Sequence, residues 1–505
     1  VKAWSALLGL VVVGLVIGVS ARSARASEPP ASAVDSPEGP LARPGDDFRR
    51  SDPQEAELGP IAESSGLDAL TAVQPRTNIL TLTDVLNAVI ASDPRLAAAQ
   101  ARIDAAEGRL LAARGGFDPT VGMRGLVQPL SYYRHGVVDV RVRQATPLWG
   151  LGVWAGWRLG LGDFPVYDGK LLTAGGGELR AGATLPLWQG GAIDRTRADI
   201  LQGRAGQTRA NLERDYRQLQ LELQAARAYW SWVAAGLELE IERSLLDIAL
   251  ERDAGLRRQI ELGQIEAIFG TDNRRLILDR EARVVGAERD FQAATLSLSL
   301  FLRDRSGRPM LAGANRLPLG FPRATPPTIV DIEAEIQAAM ERRPDLAAAR
   351  AGREQADVEL RLARNMRSPA VDISAWVSKD IGTGPPPLMP FEATAAIEIE
   401  IPIPLRRARG QLQSARAELS RIDAELRFTN NQIAVDVRDA HSAVAAAFQR
   451  ARLAGEQVEL ARTLADAELR RFNLGAGDLL LVNLRELATA TAAREQLEAL
   501  EAYFV

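Results

Sequence analysis

Residues 92–121 read SDPRLAAAQARIDAAEGRLLAARGGFDPTV, and residues 342–371 read RRPDLAAARAGREQADVELRLARNMRSPAV. The two stretches align without a gap. Pro94 falls over Pro344, Leu96 over Leu346, Ala113 and Arg114 over Ala363 and Arg364, Pro119 over Pro369, and Val121 over Val371. Each copy is an alanine-rich helical segment that begins at one proline and stops at another, where a β-like run starts. Proline fits the first turn of a helix and breaks its interior, so both boundaries have a physical cause. An internal repeat of this kind sets the frame for the whole chain.

Working outward, the same succession follows each copy. Ahead of the first lies a short helix over about residues 83–91, with Thr81 or Thr83 placed to cap it. Gly115 and Gly116 end the first repeat helix. The β segment 119–188 follows, then a helical tract over about 193–262, a tip at 261–270 and a return helix at about 271–304. After the second copy come a shorter β segment at 369–404, a tract over about 408–472, a tip at 473–478 and a return helix at about 478–502. The chain therefore divides into a first repeat, 76–304, a Pro/Gly-rich connector, 305–327, and a second repeat, 328–505. Leu212, Tyr216, Leu219, Leu223, Ala226, Trp230, Val233 and Leu237 form a heptad-like stripe on the first long tract. A helix over that span is roughly 100 Å long, far beyond an ordinary globular helix.

Composition narrows the function. A net charge of −4 gives no reason to expect nucleic acid as a partner. The chain has no cysteine, which removes disulfides, thiolate metal sites and a cysteine nucleophile. Its two histidines, His135 and His441, have no ligand partner at helical spacing. No constellation of nucleophile, base and orienting group is visible, so neither an enzyme nor a metal or other cofactor site is expected.

Residues 1–26 read as a secretory signal peptide. Lys2 supplies a charge, residues 6–19 an apolar run, and Ala24-Arg25-Ala26 a small-residue cleavage pattern before Ser27. A membrane anchor is the competing reading. Residues 27–75 are rich in proline, alanine, serine and acid, a composition expected to be disordered. No later stretch is apolar enough to cross a bilayer as a helix.

The β segments carry the functional signal. Val138-Asp139-Val140-Arg141-Val142-Arg143 and Ile397-Glu398-Ile399-Glu400-Ile401 alternate strictly, with one apolar and one charged face. Two readings fit: a sheet packed on helices, or a sector of a transmembrane barrel. Four of the eight tryptophans fall in 119–188, and the density of aromatic residues favours the barrel. Trp149, Trp154 and Trp157 are candidates for an interfacial girdle, with core packing as the alternative. An open sheet edge cannot sit in lipid, so a barrel sector demands an oligomer.

Taken together, the chain resembles the TolC-like outer-membrane efflux protein family over about residues 79–502. The resemblance is carried by Asp93-Pro94-Arg95-Leu96 and Arg343-Pro344-Asp345-Leu346. It is carried further by Pro186-Leu187-Trp188-Gln189-Gly190-Gly191, by Pro404-Leu405 with Gly410, and by Arg471-Phe472-Asn473-Leu474-Gly475. It implies a mainly α fold with a β-barrel sector, in which three chains build a twelve-stranded transmembrane β-barrel continued by an α-helical tunnel. It also implies an outer-membrane location and a periplasmic adaptor (membrane fusion) protein and inner-membrane pump as partners. The function implied is a passive conduit of a tripartite efflux pump or type I secretion system. A periplasmic coiled-coil scaffold without a pore is the competing reading.

The candidate sites follow. Arg141, Arg143, Arg180, Asp372, Glu398 and Glu400 are candidates for the barrel lumen, against an ordinary solvated sheet face. Leu262, Gly263, Gln264, Leu474, Gly475, Ala476 and Gly477 are candidates for adaptor-contacting tips, against plain hairpin turns. The family often places acids or an arginine just after the second tip. Here the stretch is leucine-rich, so Asp478, Leu481 and Leu484 are the aperture candidates and an acidic ring is not carried over. The first β segment is also much longer than its counterpart, which implies an extra loop or added strands.

Overall fold

Thr81 sets the first structural boundary. Its hydroxyl accepts a hydrogen bond from the Asp84 amide, and the Asp84 carboxylate accepts one from the Thr81 amide. This reciprocal cap opens helix α1 (Leu82–Ser92). Asp93 caps α2 (Pro94–Arg114) by accepting from the Arg95 amide at 2.8 Å, and Pro94 fills the first turn. In the computed structural model, residues 76, 78–165, 171–304, 306–328, 330–401, 403–474 and 476–505 are described. The expected signal peptide, 1–26, and the expected disordered segment, 27–75, lie outside the described residues.

Four strands follow α2: β1 (Thr120–Gln128), β2 (His135–Ala145), β3 (Gly152–Gly162) and β4 (Glu178–Pro186). Then come α3 (Arg195–Glu261) and α4 (Ala267–Ser299). In the second half α5 (Ile332–Arg342) and α6 (Pro344–Asn365) lead to β5 (Ala370–Asp380) and β6 (Glu392–Glu400). The long α7 (Arg406–Asn473) and α8 (Leu479–Phe504) close the chain. The first return helix was expected over 271–304; it begins four residues earlier and gives way to the connector at Leu300.

Among the described residues the six strands form one antiparallel sheet in the order β1-β2-β3-β4-β5-β6. Twelve strands from three copies would take four strands from each chain, and this sheet has six. The difference is the β2–β3 hairpin. β3, reading GVWAGWRLGLG, lacks the apolar–charged alternation that marks β2 and β6, so it does not announce itself as a strand.

Helices continue the sheet below. α2 runs into β1, β4 into α3, α6 into β5 and β6 into α7. The helices pack side by side in that same order. Ile103 and Ala106 of α2 meet Ala210 of α3; Ala198 of α3 meets Val358 and Leu362 of α6; Leu360 and Ala363 of α6 meet Leu412 and Ala415 of α7. Toward its far end α7 packs instead on α8, through Ala451, Ala454 and Ala499. Small residues on both sides let these helices approach closely.

The main core lies half-way along the shaft. Leu80, Val85 and Val89 of the α1 region, Leu221 to Leu239 of α3, Phe291 and Leu298 of α4, and Ala312 and Leu317 of the connector bury one another there. Tyr229 donates to the Leu80 carbonyl at 3.0 Å and the Trp232 indole to the Ala312 carbonyl at 3.2 Å. The buried line on α3 runs at steps of four, through Leu221, Ala225, Tyr229, Val233 and Leu237. The expected stripe is thereby corrected at Leu219 and Leu223, which are 51% and 46% exposed. α1 takes the neighbouring face and turns them outward.

Candidate channel wall and tips

Strand pairing decides which side chains share a face. One row of the register reads Gly122, Arg141, Gly156, Arg180, Ser378, Glu392; the next on the same face reads Arg124, Asp139, Arg158, Glu178, Asp380. Lower down, Pro186, Asp372 and Glu398 form a row, and Ala370 pairs with Glu400. All six lumen candidates, Arg141, Arg143, Arg180, Asp372, Glu398 and Glu400, therefore fall on one face of one sheet. The opposite face carries Val121, Val142, Ala155, Ala181, Val377 and Ala393 in one row and Met123, Val140, Trp157, Leu179 and Lys379 in the next. Much of it is open to solvent in the single chain: Val121 is 72% exposed and Ile399 63%.

The charged face is held together by ion pairs across strands. Arg158 of β3 contacts Glu178 of β4 at 2.6 Å, and Asp139 of β2 receives Arg141 at 3.2 Å and also Arg180. The Arg141 guanidinium lies 4.7 Å over the Trp154 ring, a cation–π arrangement. Trp154 therefore belongs to the charged face, while Trp157 lies on the apolar one; the girdle expected from Trp149, Trp154 and Trp157 is not a single surface. Sequence reading missed Asp139, Arg158 and Glu178 as residues of this charged face. Asp139 sits inside the alternating run and was within reach of that signal. Arg158 and Glu178 were hidden by glycine-rich surroundings.

Sheet centres step along the strands from edge to edge. Arg124, the middle residue of β1, is level with Glu178 and Asp380 at the ends of β4 and β5. A closed barrel with tilted strands requires this kind of stagger.

At the far end, α3 stops in a helix cap of Schellman type. The Gly263 amide donates to the Ile260 carbonyl and the Gln264 amide to the Gln259 carbonyl, both at 2.9 Å. Gly263 has φ +66°, the left-handed conformation glycine adopts freely. The second tip closes similarly, with the Leu474 amide bonded to Arg470 O and the Ala476 amide to Arg471 O. A Cβ on Gly477 would lie 2.7 Å from the Phe472 amide nitrogen, so the turn admits only glycine there. Leu262 and Leu474 project into solvent at 67% and 83% exposure. Gly475 lies outside the described residues.

The aperture candidates separate. Asp478 caps α8, its carboxylate accepting from the Leu480 amide at 2.9 Å. Leu484 lines a cleft against Leu276, Asp279 and Arg283 of α4, whereas Leu481 lies outside it. Just above, Glu486 of α8 receives Arg280 of α4 at 3.0 Å and Arg252 of α3. Arg252 also donates to Asn483 at 2.6 Å. Arg280 is 4% exposed, so a desolvated charge cluster ties three helices together.

The architecture is a protomer whose sheet, with one apolar and one charged face, is mounted on a helical shaft of roughly 100 Å. Residues 336–503, within the second repeat, match the model of the outer membrane efflux protein family. They carry that domain, and the chain as a whole has the fold of the TolC-like efflux channels. The similar structures include the outer membrane protein VceC from Vibrio cholerae, at 16% identity, TM-score 0.60 and coverage of 84% of this chain and 93% of that one. The CmeC outer membrane channel from Campylobacter jejuni matches at 11% identity, TM-score 0.57 and coverage of 88% and 90%. The open-state MtrE outer membrane channel from Neisseria gonorrhoeae matches at 16% identity, TM-score 0.52 and coverage of 84% and 86%. No match is found among curated protein sequences.

Proposed function

We propose that three copies of this chain close their sheets into one barrel and their helices into one tunnel. The assembly is the passive outer-membrane conduit of a tripartite efflux pump or type I secretion system, energised by an inner-membrane pump through a periplasmic adaptor. The observation that carries this reading is the sheet itself. On its apolar face the row from Val121 to Ala393 is unbroken across all six strands, and its opposite face holds the ion pairs. A periplasmic scaffold has no use for an open apolar face of this extent, whereas lipid covers it without cost.

The edges support closure. β1 and β6 are each nine residues long, and six strands make them antiparallel neighbours when copies are placed side by side. On the charged face β1 presents Arg124, and β6 presents Glu392, Glu398 and Glu400, so the two edges are complementary. The tips around Leu262, Gly263, Gln264, Leu474, Ala476 and Gly477 are the adaptor-facing end, with Gly475 assigned there from sequence alone. Leu481 and Leu484, 41% and 51% exposed, are the apolar aperture residues of this reading, beside Asp478.

Negative-stain electron microscopy of protein extracted in detergent from cell envelopes tests the reading. A hollow particle with three-fold symmetry is the expected result. Thin rods without a lumen, or a protein that needs no detergent, would return the chain to the scaffold class.

A further inference from the structure

The β2–β3 hairpin is the one part of the sheet that no helix continues. β1, β4, β5 and β6 each join a helix, but β2 and β3 are joined below by the short turn 146–151. Beneath that turn α2 and α3 pack directly on each other, so the hairpin is an insertion between two strands whose helices are neighbours. It is nonetheless fully integrated. β2 pairs with β1 over nine positions and with β3 over eleven, and β3 pairs with β4 over seven. Its apolar residues Val138, Val140, Val142 and Val153 continue the apolar face, and Asp139, Arg141, Arg143 and Arg158 continue the charged one.

We infer that the hairpin is a structural part of the transmembrane wall, so that three chains close an eighteen-stranded barrel whose added lining is cationic. The inference rests on the channel reading above and sets its bore. Four helices side by side at 8–10 Å cover an arc of about 36 Å per chain. Six strands spaced about 4.8 Å apart and tilted about 40° cover about 38 Å, and four such strands only about 25 Å. The six-stranded sheet thus matches the width of its own helical shaft, and the conduit does not narrow where it enters the membrane. Barrel diameter grows nearly linearly with strand number, so the bore is about 1.5 times that of twelve strands.

Charge follows the same division. On the lumen face the hairpin brings Arg141, Arg143 and Arg158 against Asp139. The other four strands bring Arg124 and Arg180 against Glu178, Asp372, Asp380, Glu392, Glu398 and Glu400. The inserted strands therefore place a cationic strip in each third of an otherwise acidic wall, suited to anionic cargo groups moving past it.

Cryo-electron microscopy of the full chain in lipid nanodiscs tests the bore directly. Eighteen strands in a three-fold wall are expected. A three-fold particle with a twelve-stranded wall and the hairpin folded elsewhere overturns this inference and leaves the channel reading standing. A particle with no closed wall overturns both. Because the chain has no cysteine, single substitutions give a second readout. Val140→Cys is expected to react with a lipid-phase maleimide and Arg141→Cys with a water-soluble one. Equal reaction of both with the water-soluble reagent would remove β2 from the wall. Joining 132 to 164 removes the hairpin. If that variant assembles, its conductance should fall about twofold, with a shift toward cation selectivity. Unchanged conductance and selectivity would count against a lumen-lining role.

Discussion

Single residues act here through which face, and which depth, they occupy. Val140 is the middle residue of β2 on the apolar face, while Ile399 is the penultimate residue of β6 on the same face. A lysine at the bilayer midplane costs about 2–4 kcal/mol and near an interface about 0–1 kcal/mol. Val140→Lys should therefore sharply lower the yield of assembled protein in the outer membrane, and Ile399→Lys should lower it little. Equal yields measured on unboiled gels would contradict the assigned depth. In the shaft, burial of Asp93 pushes its carboxyl up, but hydrogen bonds from the Arg95 side chain and amide, with the Arg95 charge, outweigh burial and hold it below its usual 3.8. A lowered folded value means that the stabilisation is present above that usual value and is lost as pH falls through the lowered one. Acid unfolding of the wild type should therefore begin to include this loss below about pH 4, and Asp93→Asn should lack that component. Asp93→Ala also removes the cap and should cost about 1 kcal/mol in denaturant unfolding.

At the scale of elements, the sequence revealed what punctuation and alternation can reveal. Pro94 and Pro344 placed two helix starts at the residue, and the glycine tips placed the ends of α3 and α7 within a residue or so. Alternation put all six lumen candidates on one face, because a period of two survives any uncertainty in pairing partner. The stripe on α3 was legible only in part. A heptad pattern cannot say where one partner helix ends and another begins, and here α1 claims Leu221 and Ala225 while Leu219 and Leu223 turn outward. Nor could alternation find β3, whose small and aromatic residues serve ring packing and close backbone approach instead. The Glu486 cluster was invisible for a different reason: its members, Arg252, Arg280 and Glu486, are brought together from three helices by packing alone. Removing one partner of a buried charge cluster costs about 3–5 kcal/mol, because the rest stay desolvated and unpaired. Glu486→Ala should lower the unfolding temperature of the shaft, with restoration by a further change of Arg280 to Met. No change in that temperature would mean that water already reaches the cluster.

For the whole molecule, length is the quantity the repeat controls. Each long helix, 67 residues in α3 and 68 in α7, runs from the sheet to the tip. Each is backed by two shorter partners placed end to end, α2 then α4, and α6 then α8. The main core sits at the joint between α2 and α4, where α1 and the connector are also packed, so that pair cannot slide along α3 without breaking it. A straight helix of this size is about 100 Å long. Strands of nine to eleven residues, tilted about 40°, add about 25 Å of wall, the height of an outer-membrane apolar band. The assembled particle should therefore measure about 125 Å along its axis, measured in side views of detergent-solubilised protein. A particle near half that length would mean that the α3–α4 and α7–α8 hairpins fold back on the shaft. In that case the tips would lie beside the sheet, and the chain could not carry cargo from an inner-membrane partner to the cell surface.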